Sequence, residues 1–305
     1  MEELVRLAGI GTGVLLGMAT VLLRIGLRHD TPYRAAWFIT GVGTAFLLPF
    51  SLNALPEFVE GFSWSYGILA FLGSGVMGQA LGRLALYTCI DTLGPTTAAT
   101  YKTLAPAFTA LGAWFFFRER LSVADAFGIA AVIGGVLTMV SFQGEHSPRN
   151  TELGKTRPSP RILHGGLGLG LATALLYSGG DLLRKLGVVF LPSALIGTWL
   201  GYLSSFVVLT AYLFKKRGRQ GFRTWNNRAL LAFSAGAVAI MVAYVLFLVG
   251  TISAGVAITA ALASIEPLAA YAIGVVLYRQ GEPLKVAQVP GVVFVVIGVA
   301  IILLI

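Results

Sequence analysis

Residues 86–107 read LYTCIDTLGPTTAATYKTLAPA, and residues 247–268 read FLVGTISAGVAITAALASIEPL. Sliding one onto the other by about 161 residues aligns Gly94 with Gly255 and Pro106 with Pro267. After a slip of about two, the match resumes with Glu119 on Glu282, Gly128 on Gly291 and Gly135 on Gly298. The chain is therefore two half-length copies of one unit. In an apolar chain such copies point to a transporter, because inverted halves give alternating access around a site at the membrane midplane.

The composition sets the class. Hydrophobic residues make up 56% of the 305 positions and charged residues only 11%, at a mean hydropathy of +0.83, whereas a soluble domain carries about 25% charged residues. The 38 glycines suit packed membrane helices, where small residues let backbones approach. The one cysteine, Cys89, allows no disulfide within the chain. A net charge of +9 does not indicate nucleic-acid binding here, because the basic residues sit mostly in short loops between apolar stretches, where they orient the chain. The N-terminus opens Met-Glu-Glu and lacks a cleavage pattern, so it reads as an uncleaved first span.

Membrane helices need about 20 apolar residues each. By that measure the sequence predicts ten spans, at 4–26, 33–52, 65–90, 94–116, 122–142, 164–187, 192–214, 229–250, 253–278 and 284–305. The expected fold is an all-α polytopic membrane protein of two inverted five-helix repeats. Residues 1–142 form the first repeat, the polar stretch 143–163 is a linker, and residues 164–305 form the second. An odd number of spans per half is what turns the second copy upside down. Strands are not expected, since the segments are continuously apolar without the period-two alternation of barrels. The loops on one face carry about fifteen Lys and Arg against about five on the other, which places both termini outside by the positive-inside rule.

Residues 98–140, AATYKTLAPAFTALGAWFFFRERLSVADAFGIAAVIGGVLTMV, resemble the fourth and fifth spans of the drug/metabolite transporter superfamily, EamA type. Pro106, the Phe-rich end, Glu119 followed by Leu121-Ser122, and the Gly-rich span carry the resemblance, and the second half repeats it at Pro267, Glu282, Gly291 and Gly298. It implies a cavity lined by spans 1, 3, 4, 6, 8 and 9, cargo drawn from small metabolites or drugs, and both termini in the cytoplasm. The last point opposes the charge count. Glu266 departs from the repeat, since the first half has Ala105 there.

Ionisable groups inside spans are costly and mark function or pairing. Arg83, Lys102, Asp181 and Glu266 lie deep by position, whereas Arg24, Arg184 and Lys185 are expected to reach the headgroups from span ends. The repeat offset makes the spans of Lys102 and Glu266 symmetry mates with the two charges less than a turn apart in register, so they are expected to form an ion pair or to open for substrate or proton. Gln79, Arg83 and Tyr87 form a polar stripe at helical spacing, facing either a cavity or a neighbouring helix. Arginine is the bidentate partner of carboxylate and phosphate, which points to a substrate with an anionic group.

Candidate substrate contacts are thus Arg83, Lys102, Tyr87, Gln79, Tyr244, Glu266, Tyr101, Tyr177, Asp181 and Trp37. Trp37 has an alternative role in helix packing or an interfacial belt. Glu266 and Asp181 are also candidate proton carriers. Pro106 and Pro267, at matched places, are candidate hinges.

No Walker motif is present, and His29, His146 and His164 are too scattered for a zinc site, so neither a nucleotide, a metal nor another cofactor is implied. No nucleophile motif supports an enzyme. The expected function is secondary transport of a small organic metabolite, possible partners being that substrate, membrane lipid and a second copy of the chain through spans 5 and 10. A lipid flippase and a drug or amine exporter on the same fold are the alternatives, and a membrane-embedded enzyme is the competing class.

Overall fold

The computed structural model describes residues 2–27, 29–54, 64–86, 102, 104–119, 122–141, 160–217, 225–278 and 289–304. Among the described residues there are helices and no strands. The helices are α1 (Glu2–Leu27), α2 (Pro32–Ala54), α3 (Trp64–Ser74), α4 (Ala105–Phe117), α5 (Val123–Ser141), α6 (Pro160–Phe190), α7 (Ala194–Arg217), α8 (Asn227–Ala254), α9 (Val256–Ala263), α10 (Glu266–Tyr278) and α11 (Val289–Leu304). Among the described residues six stretches are long and apolar enough to cross a membrane, and α4 and α5 are shorter apolar helices.

Three local departures from the expected spans matter for function. The third span does not run as one α-helix: α3 passes into a π-helical segment, Gly75–Gly82. Its wider turn leaves Gln79 wedged against α7, where a Cβ on Gly201 would lie 2.9 Å from Gln79 Nε2. The ninth span, 253–278, is broken at residues 264–265 into α9 and α10. The sixth span runs past both predicted ends, so α6 overlaps the tail of the expected linker.

Packing follows the repeat. The main neighbours are α1 with α8, α3 with α6, α2 with α7, α4 with α9, and α5 with α11. Shifting each helix to its repeat mate turns the first of these pairs into the second and returns α2–α7 and α5–α11 each to itself. The α5–α11 seam shows this at atomic scale. A Cβ on Gly135 would sit 2.6 Å from the Gly291 carbonyl oxygen, and one on Gly298 would sit 2.7 Å from the Gly128 carbonyl oxygen. These are the four glycines that the sequence aligns, meeting crosswise to that alignment, and the backbones come this close because no side chain stands between them. Spans 5 and 10 are therefore each other's scaffold.

Candidate functional site

The two helix breaks carry the two unmatched charges. Lys102 is helical, a turn follows at Leu104, and α4 starts at Ala105. On the other half, α9 ends at Ala263 and Glu266 opens α10. Pro106 and Pro267 were expected in mid-helix, each removing a backbone bond. They lie instead in the first turns of α4 and α10, where the missing N–H would have had no helical partner anyway. The prolines mark breaks rather than kinks within continuous helices.

Across the breaks, Lys102 Nζ donates to Glu266 Oε2 at 2.6 Å and to Oε1 at 2.9 Å. The Thr20 hydroxyl of α1 donates to Oε1 at 3.0 Å. Lys102 also lies over the Tyr177 ring of α6, 5.8 Å from its centroid. The Lys102 and Glu266 side chains keep 31% and 16% of their surface exposed, so the pair is neither sealed nor open to bulk solvent.

A second polar group lies on α6 and the helices around it. Arg184 Nη1 is ion-paired with Asp181 Oδ1 one turn earlier. Its guanidinium lies 4.7 Å from the Tyr244 ring and 5.7 Å from that of Phe247. Tyr244 meets Tyr202 edge to face at 6.0 Å, and Asp181 is within electrostatic reach of Lys102 as well as Arg184. Gln79 and Arg83, on and just after the π segment, are buried, so this part of the expected stripe faces other helices. Arg184 was expected to reach the headgroups, but it is only 4% exposed. Proximity to a predicted span end misled there, because α6 continues to Phe190 and Asp181 supplies a partner. Lys102 and Arg184 are thus each matched to one carboxylate, Glu266 and Asp181 respectively.

The EamA-like transporter family model matches residues 4–141 and 164–304, nearly the whole chain in two stretches. The chain belongs to the EamA-like transporter family. No curated protein sequence matches it. A solved structure, described only as the crystal structure of a protein, shares the fold with a TM-score of 0.72 and 17% identity, covering 97% of this chain and 95% of its own. As a member of a transporter family the protein is a multi-pass membrane transporter of the drug/metabolite type.

Not every residue singled out by the sequence joins these polar clusters of the EamA-family chain. Trp37 packs the α2–α7 seam instead: its indole Nε1 donates to Thr210 Oγ1 at 2.8 Å, and its ring lies 5.5 Å from Phe206. Tyr87 and Tyr101 lie outside the described residues. Among the described residues no group of three His, Cys, Asp or Glu side chains converges on a metal site.

One contact was not foreseen. Arg118, in the left-handed region at φ 51°, ends α4 and turns Glu119 towards the other half. There the Glu119 carboxylate accepts the backbone N–H groups of Val256 at 3.1 Å and Ala257 at 3.3 Å, capping α9. Lys185 Nζ lies 3.2 Å from Glu119 Oε1, so Lys185 too has a protein partner rather than reaching outward alone. The repeat alignment marked Glu119 only as the mate of Glu282. The cue to its role was Gly255, whose backbone has φ +85° and whose Cβ would lie 3.0 Å from both Glu119 oxygens.

Proposed function

We propose that this EamA-family protein is a secondary transporter that moves a small organic metabolite bearing an anionic group by alternating access. Two inverted five-helix repeats, residues 1–142 and 164–305, would rock about the breaks at Lys102 and Glu266, with 143–163 as the linker. The matched helix pairs and the doubled family match support the repeat. Broken helices with their charges at the break are where secondary transporters place cargo, and Pro106 and Pro267 are then bending points.

The observation that supports the substrate class is the set of cations gathered here. Arg83 and Arg184 are buried at 6% and 4% exposure, and arginine is the bidentate partner of carboxylate and phosphate. An anionic group on the substrate is then held with Arg83 and Lys102 as anchors and Gln79, Tyr177 and Tyr244 orienting it. Glu266 and Asp181 act as counter-ions and are the groups available to couple transport to protons. Both termini lie outside on the charge count and inside on the family resemblance; a C-terminal reporter active on one face decides between them.

The test is thermal stabilisation of the purified protein by anionic, zwitterionic and cationic metabolites, since a ligand that binds only the folded state raises Tm. Stabilisation by carboxylates or phosphates, lost in Arg83→Gln, is the expected outcome. Stabilisation by cations alone would make Glu266 the anchor and turn the reading to drug or amine export.

A further inference from the structure

We propose that Glu119 is the latch of a transport gate, holding the halves together at the α8–α9 end of the molecule; this rests on the alternating-access reading above. Glu119 belongs to the corner between α4 and α5 in the first half. Among the described residues, the groups that its carboxylate holds, the N–H groups of Val256 and Ala257 and the Lys185 ammonium, all belong to the second. A carboxylate at a helix N-terminus is favoured by the unpaired N–H groups and by the helix dipole. Here both are concentrated on one side chain, together with a cation.

What lies behind the latch is an apolar plug between the halves. Ala113 of α4 packs with Val256, Ala257 and Ala260 of α9 and Phe247 of α8, all less than a tenth exposed. The side chains packed between α4 and α9 are apolar, and Glu119 adds a directional polar contact between the same two helices' ends. Alternating access requires each end to open once per cycle, and this end opens only when α9 parts from α4. The three Glu119 contacts are lost at that step. Water re-solvates the Glu119 and Lys185 charges as this end opens, so the latch is breakable as well as specific.

Gly255 makes the latch possible. Its φ of +85° starts α9 directly under the carboxylate, in a conformation that other residues rarely adopt. A methyl group there would press on both Glu119 oxygens at 3.0 Å. Gly255→Ala is thus expected to loosen the same contact from the opposite side, without touching a charge.

The experiment reads the gate directly and needs no substrate. With Cys89 replaced by Ser, Ala260→Cys places one thiol in the plug, at a position only 4% exposed. Its modification by a water-soluble thiol reagent is followed in lipid nanodiscs. Glu119→Gln is expected to speed labelling about tenfold or more, the scale set by losing a charge-assisted contact. Lys185→Gln should speed it less and Gly255→Ala should speed it also. Asp30→Asn, which breaks an ion pair to Arg34 at another corner, should leave it unchanged. Should Ala260→Cys fail to fold, Ala257→Cys takes its place. Labelling that ignores both Glu119→Gln and Gly255→Ala overturns the proposal, and so does labelling raised equally by Asp30→Asn. A protein that transports nothing but whose labelling obeys this pattern would sink the transporter reading and leave the latch standing.

Discussion

Removing both charges of the Lys102–Glu266 pair should cost no more stability than removing one. The contacts are short, at 2.6 and 2.9 Å, and charge-assisted. Breaking a buried pair by deleting one partner costs about 3–5 kcal/mol, and exposed pairs contribute about 0–1 kcal/mol. With the two side chains 31% and 16% exposed, this pair falls between those limits, at about 2 kcal/mol. Lys102→Gln leaves the Glu266 carboxylate with the Thr20 hydroxyl alone; Glu266→Gln leaves Lys102 above the Tyr177 ring. Each single variant should lose about 2 kcal/mol, and the double variant about 2 rather than 4, because two amides can hydrogen-bond where the ions did. In a detergent melt, each single change corresponds to a fall of about 4–8 °C in Tm. A double variant whose loss equals the sum of the singles would refute the coupling. If the double variant also transports at the rate of the parent, the pair is structural and the site must be sought at Arg83 and Arg184.

The other consequences are as direct. Gly135→Val and Gly298→Val, each driving a side chain into the facing backbone, should each destabilise the protein by about 2–3 kcal/mol in the same melt; a tolerated Gly298→Val would break the equivalence of the two contacts. Arg184→Gln should lower Tm by more than Arg184→Gln with Asp181→Asn, since the single change strands a buried carboxylate. Trp37→Phe should cost about 1 kcal/mol, for the lost hydrogen bond to Thr210, while ligand stabilisation is unchanged; lost ligand binding would restore Trp37 to the pocket wall. Lys102→Gln should weaken stabilisation by anions but not by neutral compounds, as read by the ligand-dependent rise in Tm.

The parts of the fold that were legible in the sequence are those set by hydrophobic length and by spacing. Apolar stretches locate helices, and the four glycines that the repeat aligned as mates, at 128, 135, 291 and 298, are those the structure places at the α5–α11 seam. Lys102 and Glu266 could be paired on paper because a repeat offset is a spatial statement once the halves are symmetry mates. What was not legible depends on local hydrogen bonding. Nothing in GVMGQALG announces a π segment, and ASIEPL does not say that the helix stops and restarts around Ser264. Depth was misjudged for Arg184, since distance from a predicted end is a poor measure when the end itself is uncertain by a turn. The Glu119 contact was hidden because the groups it binds are backbone N–H groups, which leave no signature in side-chain sequence.

Symmetry and asymmetry are divided between scaffold and site in a way that bears on mechanism. The glycine contacts and the helix pairings are shared by both halves, so a motion that exchanges the halves exchanges equivalent surfaces at little cost. The charges are not shared. At an offset of 161, Lys102 faces Ala263, Glu266 faces Ala105, and Asp181 faces Thr20. Thr20 and Asp181 then occupy matched places on α1 and α6, one donating to Glu266 and the other within electrostatic reach of Lys102. A ligand lying where the two breaks meet would therefore find charges that do not interchange when the scaffold rocks. Its orientation can stay fixed while the exit changes, as alternating access around a single site requires. A Lys102→Glu, Glu266→Lys exchange tests this. It preserves the pair and the scaffold, so the protein should melt near the parent temperature. It reverses the polarity seen by the ligand, so anion stabilisation should fall; unchanged anion binding would show that the pair does not set the ligand's orientation.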